Sequence, residues 1–241
     1  MTAATRKLCL LHLSANALLM WLGYEWLSVA ESTRLRLAVS AADALSILAL
    51  VCWLHGATFV YFRDVPKINE AFRVALRHLA ALVSAAILVL VLYGLLRWAA
   101  GAAGQPAFRL ASWLTLHLHK PIKPVTVARV FQALFWIVRW IVLPVVLLPA
   151  ASAIASRGWR GFGAIMRGSP LRYWVAVPVL LLLGLQLPFV LLRWVPAFDS
   201  FVLQFASFAI RLLVAYLLFV AAALRLAIVS GGGGANQEIA P

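Results

Sequence analysis

The stretch FQALFWIVRWIVLPVVLL, residues 131–148, decides the fold. Apart from Gln132 and Arg139, every side chain in it is apolar. As a helix it would cover about 27 Å, close to the ~30 Å hydrocarbon thickness of a bilayer. A guanidinium in such a setting stays charged, and at the bilayer centre it costs at least about 2.5–3.5 kcal/mol. Arg139 therefore has to face other protein or a polar cavity, and the chain around it reads as a membrane bundle with a polar interior.

Composition extends that reading to the whole polypeptide. Of its 241 residues 65% are hydrophobic and only 12% charged, with a mean hydropathy of +0.98. Soluble domains carry about 45–50% apolar and about 25% charged residues, so lipid is the expected solvent for most of this chain. The net charge of +14 then belongs to loops facing anionic headgroups. It is not a nucleic-acid signal, because no basic run, aromatic RNA-binding motif or zinc spacing accompanies it. The dominance of Ala, Leu, Val and Arg suggests a GC-rich bacterial genome, and hence a bacterial cytoplasmic membrane. Cys9 and Cys52 lie in separate apolar segments, outside any CxxC motif, and read as lone thiols.

Six apolar stretches are long enough to span: residues 8–30, 37–62, 79–98, 127–155, 174–195 and 201–228. The predicted fold is an all-α, polytopic bundle of six transmembrane helices, forming one membrane domain over residues 1–230. A glycine run (231–234) opens a short tail, 231–241, expected to be flexible. Pro144 and Pro149 in the fourth span, and Pro178 and Pro188 in the fifth, predict tilts or kinks. The first stretch has the outline of a signal peptide, with Arg6 and Lys7 ahead of an apolar run. His12, Asn16 and Glu25 interrupt it, so an uncleaved first helix is expected.

Positive charge orients the bundle with both termini in the cytoplasm. Arg63, Lys67, Arg73 and Arg77 then lie inside after span two, and Arg157, Arg160, Arg167 and Arg172 inside after span four. Both groups are expected to contact anionic headgroups. Arg34, Arg36, Arg97, Arg109, Lys120, Lys123 and Arg193 then fall outside, and the cost of this orientation is greatest in the outer loop, 99–126, that carries three of them. Within it, residues 108–118 are apolar but too short to span, which suits an interfacial helix or a re-entrant piece. His117 and His119 would share a face of an extended segment, but no other ligand type is near in sequence.

Two short segments echo each other. AFRVALR, residues 71–77, precedes span three, and GFGAIMR, residues 161–167, precedes span five. They reflect either the common juxtamembrane arginine pattern or a parallel internal duplication. Through these segments the chain resembles poorly characterised bacterial multi-pass proteins, among them the membrane domain attached to some glycerophosphodiester phosphodiesterases. The resemblance implies a helical membrane fold. It implies no phosphodiesterase activity, because no catalytic domain accompanies it here.

Polar residues in the spans form stripes. At 100° per residue, Arg129, Gln132, Trp136 and Arg139 fall within roughly 80° of arc, and Ser200, Gln204, Ser207 and Arg211 within roughly 60°. Such stripes are expected to face protein. The chain has only seven acidic residues, and Asp43 and Glu25 are the intramembrane partners expected for Arg139 or Arg211. The set Arg139, Arg211, Asp43, Glu25, Gln132, Gln204 and Ser207 would fix helix packing, line a cavity for an anionic ligand, or carry ions. No nucleophile, zinc-protease or phosphate-loop motif is present, and no cofactor is implied. The sequence thus points to a non-enzymatic membrane component that binds lipid, a protein partner or a second copy of itself. A small transporter or permease component, with a polar cavity between spans four and six, is the second reading.

Overall fold

The structure, a computed structural model, describes residues 3–30, 32–164 and 171–235. Among these residues there is no strand. The helices are α1 (Ala3–Ser28), α2 (Arg34–Arg63), α3 (Ile68–Arg77), α4 (Leu79–Ala102), α5 (Gly104–Leu118), α6 (Pro124–Ile137), α7 (Leu143–Arg157), α8 (Leu171–Leu181), α9 (Leu187–Arg193) and α10 (Phe201–Ala235). Five helical stretches are long and apolar enough to cross a membrane: Arg34–Arg63, Leu79–Ala102, Pro124–Gly163, Leu171–Arg193 and Phe201–Gly231. Their limits follow spans two to six of the sequence. α1 also forms where a span is expected, yet it falls outside this set. Its His12, Asn16 and Glu25 lower its hydropathy.

Helix boundaries follow local chemistry. Thr33 caps α2, its hydroxyl accepting from the Arg36 N–H at 3.2 Å. Pro124 occupies the first turn of α6, where its missing N–H costs nothing. Two α-helical runs are interrupted by one π-turn each, at Val138–Val142 and Leu182–Gln186. Both turns are followed by Leu-Pro: Leu143 donates to the Val138 carbonyl ahead of Pro144, and Leu187 to the Leu182 carbonyl ahead of Pro188. A proline has no N–H and crowds the carbonyl four residues back. Widening the turn absorbs that conflict without a break in the helix.

The described chain divides into two compact units, residues 84–147 and the remainder. In the larger unit, α1, α2 and α10 meet around Leu8, Val220 and Leu224, with Leu13, Tyr61, Phe62 and Ile68 packed on them. The Tyr216 hydroxyl of α10 donates to the Leu13 carbonyl of α1. Gly184 brings α10 close, since a Cβ there would lie 2.3 Å from Ala222 Cβ. Gly158 turns the chain out of α7 with φ +60°, and a side chain at that position would also strike the His78 ring.

The smaller unit contains α5 and α6, joined through Ala107, Ala111 and Val127. Residues 108–118 are thus part of a helix, and its partner is α6. His117 and His119 do not share a face. The His117 ring lies on Trp113, with centroids 4.1 Å apart, and its Nδ1 is 2.9 Å from the Trp113 carbonyl, while His119 ends the helix at φ 52°.

α10 continues through the glycine run to Ala235. Gly231 is buried, and a Cβ there would lie 3.0 Å from the Phe62 carbonyl group, so a bare backbone lets the two helices touch. Residues 236–241 lie outside the described residues.

Candidate functional site

One end of the larger unit gathers the basic residues. The end of α2 reaches α7 there, with Arg63 Nη1 donating to Ser152 Oγ at 3.4 Å. Arg63 Nε also lies 3.7 Å from the Asp64 carboxylate, and Arg157 is close enough for its charge to act on Arg63. Beside them α3 folds back against α2. The Trp53 indole N–H donates to the Phe72 carbonyl at 2.9 Å, and their rings meet edge to face. α3 is amphipathic: Ala71 and Ala75 are buried, while Asn69, Glu70, Arg73 and Arg77 are exposed. Lys67 pairs with Glu70 at 3.2 Å. Lys7 enters from α1, lining with Lys67 and Arg73 a common concavity of about 750 Å³. Arg157, Arg160 and Arg172 are exposed. Arg167 lies outside the described residues.

The polar residues of the spans sort differently from the stripes. Arg211 is buried to 9% exposure. Its Nη1 donates to the Leu191 carbonyl at 3.1 Å and to the Trp194 carbonyl, and its Nε to the Ser207 carbonyl at 3.2 Å. Leu191 and Trp194 end α9, whose last carbonyls have no helical partner. The guanidinium therefore caps a helix terminus, where positive charge is favoured. Ala215 and Ala222 continue this face inward. Gln204 is exposed and donates to the Phe198 carbonyl at 2.7 Å.

Asp43 and Glu25 are both exposed, and among the described residues neither forms an ion pair with an arginine. The expected pairing is replaced, for Arg211, by backbone carbonyls. Arg139 is half-buried in the π-turn of the fourth span, its guanidinium 5.1 Å from the Trp140 ring centroid. Its buried Nε has no hydrogen-bond partner. Arg129, Gln132 and Trp136, on the same face, are exposed.

A second buried network, between α1 and α2, was not assembled from the sequence. His12 is fully buried, with Nε2 2.6 Å from Thr58 Oγ1. Thr58 spends its own proton on the Leu54 carbonyl, so His12 donates from Nε2. Asn16 donates to His12 Nδ1 at 3.2 Å and to the His12 carbonyl at 2.8 Å. The network thus assigns a neutral imidazole with both nitrogens occupied. His55 meets the same ring edge-on at 5.3 Å. Near the other end of the pair, the Trp26 indole donates to Ser40. The spacing of His12 and Asn16, one helical turn apart, is the signal that pointed here.

Among the described residues no three His, Cys, Asp or Glu side chains gather as metal ligands. The fold and this arrangement define an all-helical chain of the multi-pass membrane type. Compared with protein-family models, with curated proteins and with solved structures, the chain matches none.

Proposed function

We propose that this chain is a six-span protein of a bacterial cytoplasmic membrane, with both termini inside. In this reading it is not an enzyme. It is a membrane-embedded component that binds anionic lipid, and through it or beside it a protein partner or a second copy of itself. The observation that carries the reading is one basic end of the larger unit, where Lys7, Lys67 and Arg73 line one concavity and Arg63 and Arg157 lie close together at the ends of long apolar helices. An anionic leaflet attracts such charge by about 1 kcal/mol per residue.

The sixth span is supported by the pairing of α1 with α2. His12 meets Thr58 and Trp26 meets Ser40, so the helices run antiparallel. Between those contacts lie about 21 Å of α1 and about 27 Å of α2. α1 therefore accompanies α2 through most of its crossing, and its His12 and Asn16 spend their hydrogen bonds inside the protein. The same antiparallel order puts the starts of α1 and α3 and the ends of α2, α7 and α10 together.

Mass spectrometry of lipids that co-purify with the protein in mild detergent tests the function. Anionic phospholipid enriched above its share of the host membrane is expected. A co-purified composition equal to that of the membrane contradicts the lipid-binding reading.

A further inference from the structure

We infer that the concavity between α1 and α3 is a discrete site for the phosphate group of an anionic phospholipid. The inference rests on the lipid-binding reading above and narrows it from a charged surface to one pocket. Lys7, Leu11, Pro66, Lys67, Ile68, Asn69, Glu70 and Arg73 line the space. Its charge is unequal: three cations face one carboxylate, and that carboxylate is engaged by Lys67. No ion pair occupies Lys7 or Arg73 among the described residues. Two cations on separate helices are thus left to converge on a shared anion. Arginine offers a planar fork that matches two phosphate oxygens, lysine a compact charge, and the Asn69 amide a further donor.

The apolar lining selects the source of the phosphate. Leu11, Pro66 and Ile68 border the same space, and the Ile68 side packs on the Leu8 cluster. A free phosphate has no use for such a wall, whereas a diacylglycerol backbone does. The volume of about 750 Å³ exceeds a bare phosphate and accommodates a glycerophosphate headgroup with the first part of its chains. Leu11 of the lining is itself exposed, an apolar surface of α1 along which an acyl chain would run.

The test is native mass spectrometry of the detergent-purified full chain, titrated with phosphatidylglycerol or phosphatidylcholine. The wild type is expected to retain one phosphatidylglycerol at concentrations where phosphatidylcholine is not retained. Lys7→Gln with Arg73→Gln should weaken that first binding step about thirtyfold, each charge being worth about a factor of five near an anionic surface. Arg157→Gln with Arg160→Gln, at the same end but outside the pocket, should weaken it far less, by about fivefold at most. Leu11→Trp, which takes up space at the lining without altering charge, should also weaken it, and keeps the site testable if the double variant melts early.

Equal losses from both charge pairs would overturn the pocket while leaving a diffuse basic surface. Absence of any preference for phosphatidylglycerol in the wild type would overturn the pocket and the lipid-binding function together. Displacement of the lipid by millimolar inorganic phosphate would overturn the lipid as the ligand.

Discussion

Arg211 and His12 are polar residues that the fold has fully employed. Arg211 holds the carbonyls of Leu191 and Trp194 at the end of α9, and its removal would strand them in an apolar setting. Arg211→Leu is expected to destabilise the protein by about 2–4 kcal/mol, since a buried group that loses a charged partner costs that much. Asp43→Leu and Glu25→Leu should stay within about 0.5 kcal/mol, because exposed carboxylates without an ion pair contribute little. Thermal melts in detergent compare the three. An Asp43 variant as damaged as the Arg211 variant would show that the carboxylate, not the helix end, is the partner. Thr58→Val leaves the His12 Nε2–H without its acceptor and should cost about 1–3 kcal/mol, with Thr58→Ser close to the wild type. That Arg211 would turn inward was legible from its helical stripe. What it would meet was not, because backbone carbonyls carry no signature in a sequence.

Helices were the most legible element, since apolar runs of membrane length leave little choice of structure. The six expected stretches lie on helices except for the last two residues of the first and of the fifth. The π-turns were not foreseen, although their cause is written in the chain. LPVVLL at 143–148 and LPFVLL at 187–192 place a leucine and a proline after each widened turn. The stripe drawn on the fourth span at 100° per residue does not mark a buried face, since Arg129, Gln132 and Trp136 are exposed and Arg139 falls in the π-turn. Periodicity identifies a face without saying what covers it. Close helix contact likewise depends on single glycines. Gly184→Ile would drive a side chain into Ala222, on α10. It should cost about 1–3 kcal/mol by overpacking, read as a lower melting temperature, with Gly23→Ala, which meets open space, as the neutral control.

Within the larger unit, the grouping of Lys7, Lys67, Arg73 and Arg157 was legible in the sequence, because they fall on one side once spans alternate. The concavity they help to form was not visible, because it needs α3 folded back on α2 by Trp53 and α1 laid beside them. In the sequence, His12 and Asn16 interrupt an apolar run, and Asn16 reads besides as a residue that fixes helix packing. The fold uses them as the bond between the first two helices, and this is the point on which six crossings or five depends.

Sidedness of that helix pair tests the account most directly. With Cys9 and Cys52 replaced by serine, single cysteines at Arg6, Ser32 and Asn69 would be labelled with a membrane-impermeant maleimide in oriented vesicles. Six crossings predict that Arg6→Cys and Asn69→Cys react from the same side and Ser32→Cys from the opposite one. Labelling of Arg6→Cys and Ser32→Cys from one side, with Asn69→Cys on the other, would mean that α1 does not cross, and would contradict the bundle described here.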